Sequence, residues 1–222
     1  MVIEKQKNTC NLCSEISGEV AQECGPDYAN LVAMNKNILF SSENFIVIPS
    51  VGPLNNTHVM LVPKKHVNNF AELSTAEIDE GLKILENLNL YVSKKLNHPL
   101  FFFESGAGSR VDHSGGCITH AHIHCVAYQA DFFNKISEEV NLSAIKAGDY
   151  SSADKYLGYI WILNEKLEAY ICNNPLLPSQ FLRYLYSQCG KEPSSWNWRK
   201  NIRPLLIIEV IEIYKNFTMQ KT

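Results

Sequence analysis

The sequence predicts an α+β fold, an antiparallel sheet with one long helix, followed by a C-terminal extension made of a hairpin and helices. Three observations carry that expectation. Short apolar runs bounded by turn residues recur through the first part of the chain. One long stretch places its apolar residues at helical spacing. After residue 145 a new hairpin pattern and two further helical patterns appear.

Taken in order, "TCNLC" holds a Cys10-x-x-Cys13 pair, and "CGPDYANL" reads as a loop. "NILFSSENFIVIP" reads as two strands around a Ser-Ser-Glu-Asn turn, and "THVMLVPKKH" as a strand ending at Pro63. "STAEIDEGLKILENLNLYVSKKL" opens on a capping box, Ser74 with Glu77. Its residues Ile78, Leu82, Leu85, Leu88, Val92 and Leu96 follow helical spacing, and His98-Pro99 stops it. "LFFFESG" is a buried strand, and the loop "AGSRVDHSGGC" leads into "THAHIHCVAY". In the extension, "GYIWILNEKLEAYIC" is a hairpin turning near Asn164–Lys166. "PSQFLRYLYSQCG" is a short helix closed by Gly190, and "NIRPLLIIEVIEIYKNF" is a last helix that tolerates Pro204 in its first turn. The division is residues 1–145 as the sheet-and-long-helix domain and 146–222 as an extension packed on it.

Composition narrows the function. The 222 residues are 45% hydrophobic and 19% charged, enough apolar surface for a core. A net charge of −3 excludes a general nucleic-acid or membrane-surface binder. MVIEKQKNTC lacks the apolar run of a signal peptide, and Glu209 and Glu212 interrupt the most apolar later run. Seven cysteines without such a leader predict a reduced, cytoplasmic protein rather than a disulfide framework.

The chemistry concentrates in "THAHIHCVAY". On a strand, His120, His122 and His124 share one face, while Ala121, Ile123 and Cys125 take the other. Three imidazoles there point either to metal ligation or to a nucleophile and general acid–base. Alternate strand residues lie nearly in line, whereas zinc prefers a tetrahedron. One ion therefore takes one or two of these histidines and completes its shell elsewhere, with Cys10 and Cys13 as the obvious source.

His120-Ala-His122-Ile-His124-Cys-Val resembles the histidine-triad signature, and "THVMLVPKKH", the Cys-x-x-Cys pair and "FFESG" before a Gly-rich loop are similar to further elements of that superfamily. The likeness covers roughly residues 8–130, in order, and points to the zinc-containing branch. It implies a sheet usually paired across a homodimer. It also implies attack by the middle histidine, His122, on the α-phosphorus of a nucleotide, giving a nucleotidyl-histidine that water or another acceptor resolves. By the same resemblance His124 contacts phosphate and manages the leaving-group proton, and the loop at Gly115, Gly116 and Cys117 stabilises phosphoryl charge. Cys10, Cys13, His66 and His120 would form a closed, structural zinc site.

Two departures bear on the substrate. Ser50 stands where relatives often carry an acidic or amide residue for the ribose hydroxyls. Cys117 stands where a hydroxyl residue often bonds phosphate, with Arg110 and His113 as substitutes nearby. Glu104 is a candidate for loop orientation or ligand contact. His58 reads as a structural histidine bonding backbone. Cys24, Cys125, Cys172 and Cys189 read as small buried residues, and Lys64 and Lys65 as a solvated face. Gln180, Arg183, Trp196, Trp198 and Arg199 read as packing and dimer contacts, in preference to phosphate and base contacts. The expected function is a nucleotide hydrolase or nucleotidyltransferase of the phosphoramidase, dinucleoside polyphosphate or nucleotide-sugar class. Its alternatives are a nucleotide-binding regulatory module with little or no turnover, favoured by Ser50 and Cys117, and a hydrolase using the triad as metal ligands.

Overall fold

The structure is a computed structural model, and it describes residues 10–20, 24–109, 120–190, 193 and 195–219. Eight strands form one antiparallel sheet. They are β1 (Phe40–Ser41), β2 (Phe45–Pro49), β3 (Val59–Pro63), β4 (Leu100–Gly106), β5 (Ile123–Ala127), β6 (Ser143–Ile145), β7 (Tyr159–Leu163) and β8 (Ala169–Asn173). Their spatial order is β1-β2-β3-β5-β4-β7-β8-β6. The hairpin β7–β8 continues the sheet, because β7 pairs with β4 from Phe102↔Leu163 to Gly106↔Tyr159.

Among the described residues six α-helices accompany the sheet: α1 (Asn11–Ile16), α2 (Pro26–Ala33), α3 (Thr75–Leu96), α4 (Phe132–Glu139), α5 (Phe181–Cys189) and α6 (Pro204–Tyr214). The long helix α3 begins at the expected capping box: Ser74 Oγ accepts from the Glu77 amide, and the Glu77 carboxylate accepts from the Ser74 amide. Ile78, Leu85, Leu88 and Val92 of its apolar face are buried, and Asn97 in the left-handed region closes it.

Both faces of the sheet are covered, so the central strands are buried at almost every position. On one face, Val47, Leu61, Phe102, Cys125 and Trp161 pack with α3 and with Val210 and Tyr214 of α6. On the other, Phe101, Phe103, Val126 and Ile162 pack with α4 and α5. A smaller cluster, Leu12 with Ile46, Ile48 and Met60, seats α1 beside the second face.

Three expectations need correction. "CGPDYANL" is not a loop: Pro26 occupies the first turn of α2, where its missing N–H is harmless, and Tyr28 and Val32 are buried. The histidine strand starts only at Ile123. Val59↔Cys125, Met60↔His124 and Leu61↔Ile123 pair in register, but the Ala121 amide donates to the Val67 carbonyl at 2.8 Å, in the loop beyond β3. His120 and His122 therefore lie in the chain leading into β5. Finally, Cys24 and Cys125 are buried as expected, whereas Cys172 and Cys189 are partly exposed.

Candidate functional site

Ring-nitrogen contacts define the state of each histidine. His122 Nδ1 lies 2.8 Å from the His120 carbonyl. A carbonyl only accepts, so Nδ1 carries the proton and Nε2 keeps its lone pair in the neutral ring. Burial lowers the His122 pKa and the neighbouring Arg183 charge adds to this, against the opposing hydrogen bond. The ring is thus held in the form that can act as a nucleophile.

His124 is set differently. The Leu54 amide donates to His58 Nδ1 at 3.0 Å, so the proton of neutral His58 is on Nε2. His58 Nε2 lies 2.9 Å from His124 Nδ1 and donates to it. Neutral His124 must then carry its proton on Nε2, as a donor. Burial, foremost, holds both rings well below the ordinary histidine range, so neutral tautomers are the relevant ones. His58 thus bonds backbone, as expected, and also sets the tautomer of a triad histidine, which strand alternation could not reveal.

His120 turns away from this pair. Its Nε2–H donates to the Pro63 carbonyl at 2.8 Å, which leaves Nδ1 as a ligand atom. That Nδ1 is 3.6 Å from Cys10 Sγ and 3.4 Å from Cys13 Sγ, and His66 Nδ1 is 3.2 Å from Cys13 Sγ. The four donor atoms lie within 4.8 Å of one another. Zinc at about 2.3 Å from sulfur and about 2.0 Å from nitrogen, in a tetrahedron, separates S from N by about 3.5 Å. The cluster therefore fits zinc in both donor type and spacing. Cys10 is the N-cap of α1 and Cys13 lies in its first turn, with the Cys13 amide directed at Cys10 Sγ. Sequence spacing and helix geometry together aim both sulfurs at one point.

A family model described as "Scavenger mRNA decapping enzyme C-term binding" matches residues 28–137, which span β1 to β5 and the His122–His124 site. This chain belongs to the histidine-triad superfamily. That superfamily holds nucleotide-binding proteins and hydrolases. Comparison with curated proteins finds no match. Among solved structures the chain is similar to the C. elegans NitFhit protein, at 21% identity and TM-score 0.39 over 43% of this chain and 22% of that one. It is similar to a zinc-bound histidine triad family protein from Mycobacterium smegmatis, at 14% identity and TM-score 0.42 over 56% and 78%. A HIT family member from Bacillus subtilis shows 13% identity and TM-score 0.42 over 59% and 93%.

The remaining triad-domain candidates separate. Ser50, buried at the end of β2, shares one cleft with His122, His124 and Arg183. Gly115, Gly116 and Cys117, with Arg110 and His113, lie outside the described residues. Glu104 does not reach the cleft. Its neighbour Phe103 pairs with His124 and shares that face, so Glu104 points to the α3 side, 1% exposed. There Oε1 accepts from the Phe70 amide at 2.8 Å and Oε2 from the Tyr159 hydroxyl at 2.7 Å. Glu104 thus anchors the 3₁₀ turn Phe70–Glu72 that follows the His66 segment.

One charged cleft residue carried no functional signal in the sequence. Glu15 of α1 lines the cleft, and its Oε1 accepts from Tyr28 and from Asn37, both distant in the chain. Arg183 had a visible hint in its helical spacing with Gln180, which also lines the cleft. Trp198 lines it as well, with the Arg199 guanidinium 4.5 Å above its ring. Lys64 and Lys65 are exposed, as expected, and Lys65 meets Glu77 at 2.6 Å. Among the described residues, no helix is long and apolar enough to cross a membrane.

Proposed function

We propose that this histidine-triad protein is a nucleotide hydrolase or nucleotidyltransferase in which His122 attacks the α-phosphorus. The observation that carries the reading is the His122 Nδ1–His120 carbonyl hydrogen bond, which leaves the Nε2 lone pair for the cleft. In the first step the Nε2–phosphorus bond forms as the bond to the leaving group breaks. In the second, water or another acceptor attacks that phosphorus and the phosphorus–nitrogen bond breaks, returning the electron pair to Nε2. His124 Nε2–H, fixed by His58, donates to a phosphoryl or leaving-group oxygen. The substrate class is a nucleoside monophosphate joined to an amine, a phosphate or a sugar phosphate. The Gly115, Gly116 and Cys117 loop adds phosphoryl contacts.

Cys10, Cys13, His66 and His120 would hold zinc as a structural ion. Bound there, it cross-links α1 to the chain entering β5 and leaves the reacting nitrogen of His122 outside its shell. Thiolate ligands need reduced cysteines, which suits a cytoplasmic protein.

The test compares the wild type with His122→Ala on adenosine and guanosine phosphoramidates, dinucleoside polyphosphates and nucleotide sugars. Release of nucleoside monophosphate by the wild type alone, with a nucleotidyl adduct trapped on His122 by mass spectrometry, is the expected result. Nucleotide binding without release from any substrate would instead make the protein a regulatory binding module, the reading that Ser50 favours.

A further inference from the structure

One carboxyl in the wall of the cleft is only half engaged. Glu15 of α1 is 5% exposed. Its Oε1 accepts from the Tyr28 hydroxyl of α2 and, at 3.0 Å, from the Asn37 side-chain amide. Oε2 has no hydrogen-bond partner among the described residues and is not sealed from solvent. Two neutral donors from separate segments thus fix the carboxyl by one oxygen and leave the other open. Docking of α1 does not require this group. Leu12, one turn earlier on the same helix face, packs with Ile46, Ile48 and Met60, and an apolar side chain at position 15 would add to that contact. Burying a carboxyl with an unused acceptor is instead costly.

The surroundings indicate what the open oxygen meets. The cleft lies over β3, β5 and β4, whose residues Met60, His124 and Phe103 are paired in register and line it. Leu12, Val20, Val51, Leu182 and Trp198 make much of the remaining lining apolar. A flat heteroaromatic ring suits apolar walls with a few fixed polar groups, whereas a ribose carries hydroxyls along its edge. A carboxylate oxygen only accepts, so its partner on such a ring is an N–H.

We propose that Glu15 is a specificity-determining residue that reads the nucleobase, its Oε2 accepting a hydrogen bond from an exocyclic amino group. This rests on the nucleotide reading above and narrows it to nucleotides of amino-bearing bases. Tyr28 and Asn37 act through Glu15 as positioning residues, because they hold its other oxygen. A site built around such a bond discriminates strongly against the analogue that lacks the donor, since the buried acceptor is then left without a partner.

The test measures dissociation constants of 5′-monophosphates in matched pairs that differ by one amino group: guanosine with inosine, adenosine with purine riboside, and cytidine with pyrimidin-2-one riboside. The 2′-deoxy forms of the amino-bearing members are added to probe the ribose. The proteins are the full-length wild type and Glu15→Gln, at pH 8, where the carboxyl is ionised. Each result is a ratio within one protein sample, so a partly unfolded variant does not distort it. The wild type should bind one amino-bearing nucleotide about 10- to 100-fold more tightly than its partner, the scale of a charged hydrogen bond. In Glu15→Gln the amide oxygen takes over the bonds from Tyr28 and Asn37, so an NH2 group replaces the open acceptor and that ratio should fall to near one. Wild-type ratios near one in every pair, or a ratio unchanged in Glu15→Gln, overturn the proposal. A Glu15-dependent preference for the 2′-hydroxyl in place of the amino group overturns it too, by placing Oε2 on the ribose. Turnover is not needed for this readout. Absent monophosphate release with a Glu15-dependent amino preference sinks the nucleotidyl-histidine reading alone, whereas absent nucleotide binding sinks both.

Discussion

Replacing Glu104 with glutamine should remove a specific pH dependence of stability. Burial pushes this carboxyl up from its ordinary 4.5 to about 8, against the opposing hydrogen bonds from the Phe70 amide and Tyr159 hydroxyl. Near neutral pH the folded protein therefore keeps a proton on Glu104 that the unfolded chain has lost. The folded state binds more protons across this interval, so stability falls as pH rises from about 4.5 to about 8, and levels off above it. At about 1.4 kcal/mol per pH unit, the ionised carboxylate costs roughly 4–5 kcal/mol. Glutamine resembles the protonated acid: its oxygen still accepts from Phe70, and its amide donates to the Tyr159 oxygen. Urea unfolding at a series of pH values from 5 to 9 provides the assay. Glu104→Gln should match the wild type near pH 5 and exceed it by several kcal/mol above pH 8. The difference between the two proteins cancels other titrating groups, the cysteine–histidine cluster included. Parallel profiles would refute the burial argument. A loss of nucleotide affinity in Glu104→Gln would instead return Glu104 to the binding site from which its position on β4 removes it.

Stripping the metal, or a Cys13→Ser substitution, should lower the melting temperature before it affects chemistry, with a loss on the order of several kcal/mol. Turnover lost at an unchanged melting temperature would oppose a structural ion. His58→Phe should keep the fold and cost about 10- to 100-fold in kcat with little change in KM, the scale of supporting-shell residues. Unchanged kcat would mean that His124 needs no partner on Nδ1. Gly52→Ala puts a methyl 2.7 Å from the Trp198 backbone, so thermal melts should show a loss of about 1–3 kcal/mol. A neutral result would show that the extension can move off the loop after β2.

Much of this protein is local chemistry and could be read as such. The capping box at Ser74 and Glu77, Pro204 at a helix start, Gly190 at a helix end and the turn at Asn164 each depend on neighbours within a few residues. The metal cluster was legible because Cys-x-x-Cys is a one-turn motif and a zinc shell asks for two further donors, which the family resemblance located at His66 and His120. Other features were settled by partners far apart in the chain. Whether Glu104 faced the cleft or the core turned on the register of β4 against β5. The tautomer of His124 depended on His58, 66 residues away, and Arg183 entered the cleft because α5 packs beside the loop after β2. By itself the sequence determined which side chains could do chemistry, since composition and spacing specify local conformers and ligand sets. Tertiary structure alone decided which nitrogen holds each proton and which buried charge faces the cleft, because those states follow from hydrogen bonds and desolvation that arise only when distant segments meet.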